Sequence, residues 1–311
     1  LYALLALMVL LGPSLSRAFG ENQSDRTADR HQSLAPIGEL DAPAKPTFPA
    51  PELIDDCQRE ARKLRRQLDS SFRIRVEPPF IVAGDLSAEE LDGYVRNNLL
   101  RPAKAMWSTY FDTRPDRVIT ILLMSDRDSY EKWAMKLFRD DDLPYFGYYK
   151  PYYRTLIMNI STGGGTLVHE LTHALVAYDF PGIPLWFNEA MASLHEESTI
   201  SGDGRSIVGK ANWRLRSLQR AIRGGRLRPL RDLITKKDFY DDAHRGLNYG
   251  QARHFALYMQ EKGLLKSFYE SFRKEGCGRD LGLGLVERTF GKRIGEIERD
   301  YNKWVLTLDI E

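Results

Sequence analysis

The chain has 311 residues, a formal net charge of +2, 42% hydrophobic and 28% charged residues. This is ordinary globular composition, long enough to bury a sizeable core. The nearly balanced charge excludes a general polyanion binder, and two cysteines, Cys57 and Cys277, exclude a cysteine-rich metal site or a disulfide scaffold.

Leu1 to Leu11 is almost wholly apolar, Gly12-Pro13 ends the run, and Ser16-Arg17-Ala18 follows. Small residues at the first and third positions before a cut fit a signal peptide over 1–18, cleaved after Ala18. The expectation is an exported protein, secreted or periplasmic; the alternative is a membrane tether through an uncleaved signal anchor. No later stretch is apolar enough to cross a bilayer. Residues 19–51 are polar and rich in Pro, Ala and Ser, a composition that reads as a flexible linker. One folded domain is expected over 52–311.

That domain opens with a helix over Glu52–Leu68, its apolar stripe formed by Leu53, Cys57, Ala61 and Leu64 and its basic face solvated. Phe72–Val76 and Phe80–Ala83 read as a strand pair broken at Pro78-Pro79. Ser87 caps the next helix, with Glu90 completing a capping box. That helix runs toward Phe111 unless Pro102 kinks or restarts it. Arg117–Met124 (RVITILLM) is the clearest buried strand, and Asp126 opens a helix through Leu137. The aromatic stretch Tyr145-Phe146-Gly147-Tyr148-Tyr149 leads through Pro151 into a strand over Arg154–Ile160. Gly163-Gly164-Gly165 lacks the spacing and lysine of a phosphate loop and reads as a turn. The expected sheet is small and mixed, with an edge strand just before the next helix, where an extended peptide could pair.

The helix that follows carries His169-Glu170-Leu171-Thr172-His173, framed by apolar Leu167, Val168, Leu171, Ala174 and Leu175. At 100° per residue the two histidines share one face, about 6 Å apart along the axis. Two imidazoles so placed can hold one zinc ion, and Glu170, beside the first, is placed to take a proton from an activated water. A catalytic zinc usually has three protein ligands, and two acids compete for the third place. Asp179 lies six residues past His173. Glu189 lies in Leu185-Trp-Phe-Asn-Glu-Ala190, on a second helix that can fold back after Phe180-Pro181-Gly182-Ile183-Pro184. Asn188 and Ser193 are candidates for orienting the ligands.

The Asp179 spacing is that of the metzincins, but their pattern has a glycine three residues after the second histidine, where this chain has Val176. The HExxH helix followed by a downstream Asn-Glu helix resembles the gluzincin metallopeptidases, and Leu-Trp-Phe-Asn-Glu-Ala is most similar to the peptidase-MA-like domains of that clan. Phe187 and Ala190 depart mildly from their Trp-Leu-Asn-Glu-Gly form, and the interval from His173 to Glu189 is slightly short. The resemblance covers roughly residues 70–308. It implies an α+β, thermolysin-like catalytic domain with a mainly helical C-terminal part, and hydrolysis of peptide or protein substrates. It also implies one zinc ion on His169, His173 and Glu189, and Glu170 as general base. Tyr249, at the head of the apolar helix Tyr249–Met259, matches a tyrosine that faces the metal and could donate to an oxyanion; the alternative is a packed core tyrosine. Arg228–Leu233 is similar to the short segment before the last helices, and Glu296–Leu308 to the closing helix. The alternative from another class is a non-catalytic binding or assembly module on the same fold.

Arg205–Arg231 carries many basic residues and no acid. Trp213, Leu215, Leu218 and Ile222 give it an apolar side, so it reads as a solvated basic helix face, with contact to an anionic polymer or lipid surface as the alternative. No specific nucleic-acid partner is expected. His195, His244 and His254 read as surface or structural histidines. In an oxidising compartment Cys57 and Cys277 are candidates to pair.

Overall fold

The computed structural model describes residues 48–144 and 146–310. The expected signal peptide, the linker up to residue 47 and Tyr145 lie outside them. Helix α1 (Pro51–Gln67) begins inside the expected linker, because a proline suits the first helical position, where no N–H is needed. Leu53, Cys57, Ala61 and Leu64 form its buried stripe. Among the described residues no helix is long and apolar enough to cross a membrane.

A five-stranded mixed sheet follows, in the order β1-β2-β3-β5-β4. β1 (Arg73–Glu77) and β2 (Phe80–Gly84) form an antiparallel pair. β3 (Ile119–Met124) lies parallel to β2, and β5 (Thr155–Asn159) parallel to β3. Strands covered on both faces read as continuous apolar runs, which is why RVITILLM was legible. β4 (Gly147–Lys150) pairs antiparallel with β5 and forms the outer edge. The strand immediately before the HExxH helix, β5, is therefore interior, and the edge lies one strand earlier than expected. Asn159 N–H donates to the Phe146 carbonyl (2.9 Å), and Tyr148 stands opposite Ile157. Antiparallel pairs alternate, so Gly147 and Tyr149 turn their backbone groups to the free side.

The connection from β2 to β3 is helical. Ser87 caps α2 (Ala88–Tyr94) in a full capping box with Glu90. A π-helical turn over Val95–Leu100 then leads into α3 (Arg101–Thr109). Pro102 thus neither breaks nor restarts the helix; the widened turn ahead of it accommodates a ring that would otherwise meet a carbonyl in the preceding turn. α4 (Arg127–Phe138), capped by Asp126, links β3 to the β4–β5 pair.

The remainder is mainly helical. α5 (Gly165–Asp179) carries the HExxH residues and packs on α6 (Leu185–His195), which packs in turn on α9 (Arg245–Glu261). Gly163, at φ 103°, makes the turn into α5. Gly165 has a second role: a Cβ there would stand 2.7 Å from the Glu196 carbonyl, so glycine lets the start of α5 approach the end of α6. Trp186 and Phe187 fill an aromatic cluster with Phe268 and Phe272 of α10 (Leu265–Glu275), and Trp186 Nε1 donates to the Leu281 carbonyl at 2.9 Å. Trp186 and Phe187 are thus core packing that fixes the helix bearing Asn188 and Glu189, while Leu185 is exposed.

Short strands β6 (Ser198–Ile200) and β7 (Ile207–Gly209) form a separate hairpin. α7 (Arg214–Arg223) buries Leu215, Leu218 and Ala221 and leaves Arg216, Arg220 and Arg223 exposed. α8 (Leu230–Thr235), α11 (Leu283–Phe290) and α12 (Ile294–Val305) complete the fold. Tyr249 stands a turn inside α9 rather than at its head, since that helix begins at Arg245. Cys57 and Cys277 are both free thiols; burial, with Asp56 adding to it, pushes the Cys57 thiol up to about 11.

Candidate metal centre

α5 and α6 bring His169, His173 and Glu189 together. His169 Nε2 and His173 Nε2 are 3.2 Å apart, and Glu189 Oε2 lies 3.4 Å from the first and 3.6 Å from the second. Four ligands at about 2.0–2.1 Å around a tetrahedral ion are separated by about 3.3–3.4 Å, so the three atoms stand close to three corners of such a polyhedron. These three residues form a group able to hold a metal ion.

The hydrogen-bond pattern fits a group able to hold a cation. His169 Nδ1 faces Glu196 Oε2 at 3.2 Å and His173 Nδ1 faces Asn188 Oδ1 at 3.0 Å. Both partners accept, so each Nδ1 carries a hydrogen and each neutral ring presents its Nε2 lone pair inward. Glu189 Oε2 is buried and has no hydrogen-bond partner among the described residues. Three lone-pair donors therefore converge on one point, and without positive charge between them the arrangement is repulsive.

Without metal, protons supply that charge. Burial pulls the His169 imidazole down, but the Glu189 and Glu196 carboxylates against it outweigh this and push it up to about 10. His173 is likewise raised: burial opposes, and Glu189 prevails. Burial pushes Glu189 up, yet His173 and His169 hold it well below the ordinary carboxylate range.

A second layer holds the ligands. Glu196, which burial would raise, is kept low by His169 and Arg214. It pairs with Arg214, accepts from Asn212 Nδ2 at 2.8 Å, and lies 3.9 Å from the fully buried Arg253. Tyr240 donates its hydroxyl to Glu189 Oε1. Ser193, expected to orient the ligands, bonds the backbone carbonyl of Glu189 instead. A hydroxyl one turn on in a helix reaches that carbonyl more readily than a side chain across the groove.

Glu170 lines the open cleft beside His169, with Phe146, Gly147, Glu197, Trp213 and Tyr249; the cleft volume is ≈ 570 Å³. Burial raises the Glu170 carboxyl, the two histidines oppose that, and the Tyr149 N–H on the edge strand also bonds it; the net direction is upward. The Tyr249 ring lies 6.3 Å from that of His169. Burial, then the charges of Glu189 and Glu170 and a hydrogen bond toward Glu189, hold its phenol well above the ordinary value, so it stays protonated.

Other candidates lie elsewhere. Asp179 is buried and accepts from Asp112 N–H and Thr113 N–H (2.7 Å each), Tyr269 Oη (2.9 Å) and Arg273 Nη1 (2.7 Å), tying α5 to α10. His195 faces Tyr110, 5.4 Å between rings, and burial with Arg253 lowers it to about 3. His254 Nδ1 bonds the Gly250 carbonyl, and His244 pairs with Asp241 on the surface. Two arginines of the basic stretch are largely buried: Arg214 pairs with Glu196, and Arg228 bridges buried Asn248 and exposed Asp238.

Sequence reasoning missed Glu196 and Tyr240. Glu196 was findable: it follows Glu189 by seven residues, two helical turns, and so falls on the same face. Tyr240 gave no local signal, because it reaches Glu189 from a loop 51 residues away. No protein-family model matches the chain, and no curated protein matches it.

Proposed function

We propose that this chain is a zinc metallopeptidase of gluzincin type, with a thermolysin-like catalytic domain acting on peptide or protein substrates in an exported compartment. The observation that carries the reading is the convergence of His169, His173 and Glu189 at tetrahedral spacing, with Glu170 beside them in an open cleft. Two imidazoles and a carboxylate suit zinc among the common metals, and three protein ligands leave a position open for chemistry. When bound, the ion supplies Lewis acidity, acidifying a water and polarising a scissile carbonyl.

The chain's own groups do the rest. Glu170, raised by burial, takes a proton from water as the water oxygen bonds to the carbonyl carbon. It then passes that proton to the amide nitrogen as the C–N bond breaks. Tyr249, held protonated, donates its O–H to the tetrahedral oxyanion. Gly147 and Tyr149 face outward from the edge strand beside the cleft, and Gly147 is free to pair with an extended substrate backbone. The exposed arginines of α7 are the place for contact with an anionic surface. The test is hydrolysis of a broad peptide library by the zinc-loaded protein and by its Glu170→Gln variant.

A further inference from the structure

The two oxygens of Glu189 are not equivalent. Oε2 faces the imidazole nitrogens and has no hydrogen-bond partner among the described residues. Oε1 accepts the hydroxyl of Tyr240. A carboxylate free at both oxygens can turn onto an ion with one or with both. A carboxylate capped at one oxygen by an O–H offers the other alone, and O–H···O⁻ bonds are among the strong ones.

Tyr240 is presented by the loop 236–244 between α8 and α9. The residue is 48% exposed, yet its hydroxyl reaches a carboxylate in the interior. The loop is pinned from below. Phe239, buried, packs edge-on against Tyr240 (5.6 Å) and Tyr249 (5.2 Å). Its carbonyl accepts from Asn248 Nδ2 at 2.8 Å, and Asn248 Oδ1 accepts from Arg228 Nη1 at 3.1 Å. Arg228 also donates to Asp238 at 2.8 Å, so one arginine holds both the loop and the helix beneath it. Asn248 is fully buried, and this chain of contacts fixes where the Tyr240 phenol stands.

We propose that Tyr240 is a positioning residue of the metal centre: by capping Glu189 Oε1 it leaves Oε2 alone to meet the ion and keeps a coordination position open for substrate. This rests on the metal-centre reading above. The experiment strips the whole protein and its Tyr240→Phe variant of metal, then titrates each with zinc against a chromophoric chelator and with cobalt(II) followed by visible absorption. Phe keeps the ring and its packing, so the variant should fold, with unfolding in chelator coming somewhat earlier because buried Glu189 loses a hydrogen bond. Zinc affinity should fall by about 10–100-fold, the usual effect of removing a partner of a metal ligand. The cobalt spectrum should change as the freed carboxylate closes on the ion. A variant with the parent's zinc affinity and cobalt spectrum overturns the proposal and leaves the centre standing. A parent that binds neither ion overturns the centre itself, and the proposal with it.

Discussion

Glu196→Ala separates two effects that meet at one carboxylate. The first is orientation of His169, whose Nδ1 lies 3.2 Å from Glu196 Oε2. Loss of such a partner typically weakens metal binding by about 10–100-fold, or about 1.4–2.7 kcal/mol. The second is burial of charge. Arg253 is fully buried and the Arg214 side chain is 16% exposed, and Glu196 is the carboxylate beside both. Removing one partner of a buried pair costs about 3–5 kcal/mol, because the remaining charge has neither water nor a counter-ion. For a domain of this size that lowers the unfolding midpoint by roughly 6–20 °C. Glu196→Gln keeps an acceptor for His169 but loses the charge, so its zinc affinity should lie nearer the parent's. The assays are chelator competition for zinc and thermal unfolding in chelator. A Glu196→Ala protein that binds zinc as tightly as the parent would refute the assignment of Glu196 to His169.

Two further outcomes follow from the same contacts. Asp179→Ala should keep zinc stoichiometric while losing about 1–3 kcal/mol of stability, since Tyr269 and the Asp112 and Thr113 N–H groups lose their acceptor while Arg273 keeps Asp112, all away from the candidate metal position; loss of zinc in a folded variant would reopen the question of the third ligand. Zinc affinity should rise with pH, up to tenfold per unit for each proton displaced, and flatten above about 10, where metal-free His169 has already lost its proton. The metal-free protein should respond in the opposite sense: a histidine raised above its unfolded value of about 6.5 stabilises the fold fully below that pH, and the contribution is lost as pH rises through about 10. Proton release on zinc binding, measured in buffers of different ionisation enthalpy, checks the first trend, and unfolding in chelator across pH checks the second.

Much of this site could be read from local sequence. Helical periodicity placed His169, Glu170 and His173 on α5, and the break at Phe180–Pro184 gave a second helix able to return with Glu189. Capping signals found Ser87 and Asp126, because caps are set by near neighbours in the chain. What escaped depends on contacts distant in sequence. Nothing in Thr155–Asn159 shows that β4 rather than β5 takes the edge, since strand order is settled by packing. Gly165 looked like part of a turn, and its close approach to Glu196 appears only once α5 and α6 are side by side. The basic stretch looked uniformly solvated because inward and outward arginines are chemically alike; Arg214 and Arg228 are distinguished by the acids they meet. Tyr240 belongs to the same class: a loop residue whose role is set by a carboxylate on another helix.

The most direct test of the central claim measures zinc content and peptide hydrolysis together in the parent and in Glu170→Gln. Gln keeps the size of the side chain but cannot accept and carry the proton, and Glu170 is not among the three residues that converge on the metal position. The account predicts one zinc per chain in both proteins, and hydrolysis reduced by about 10²–10⁴-fold in the variant. Equal hydrolysis by the two zinc-loaded proteins would contradict the mechanism, and a parent that carries zinc yet cleaves no peptide would contradict the proposed activity.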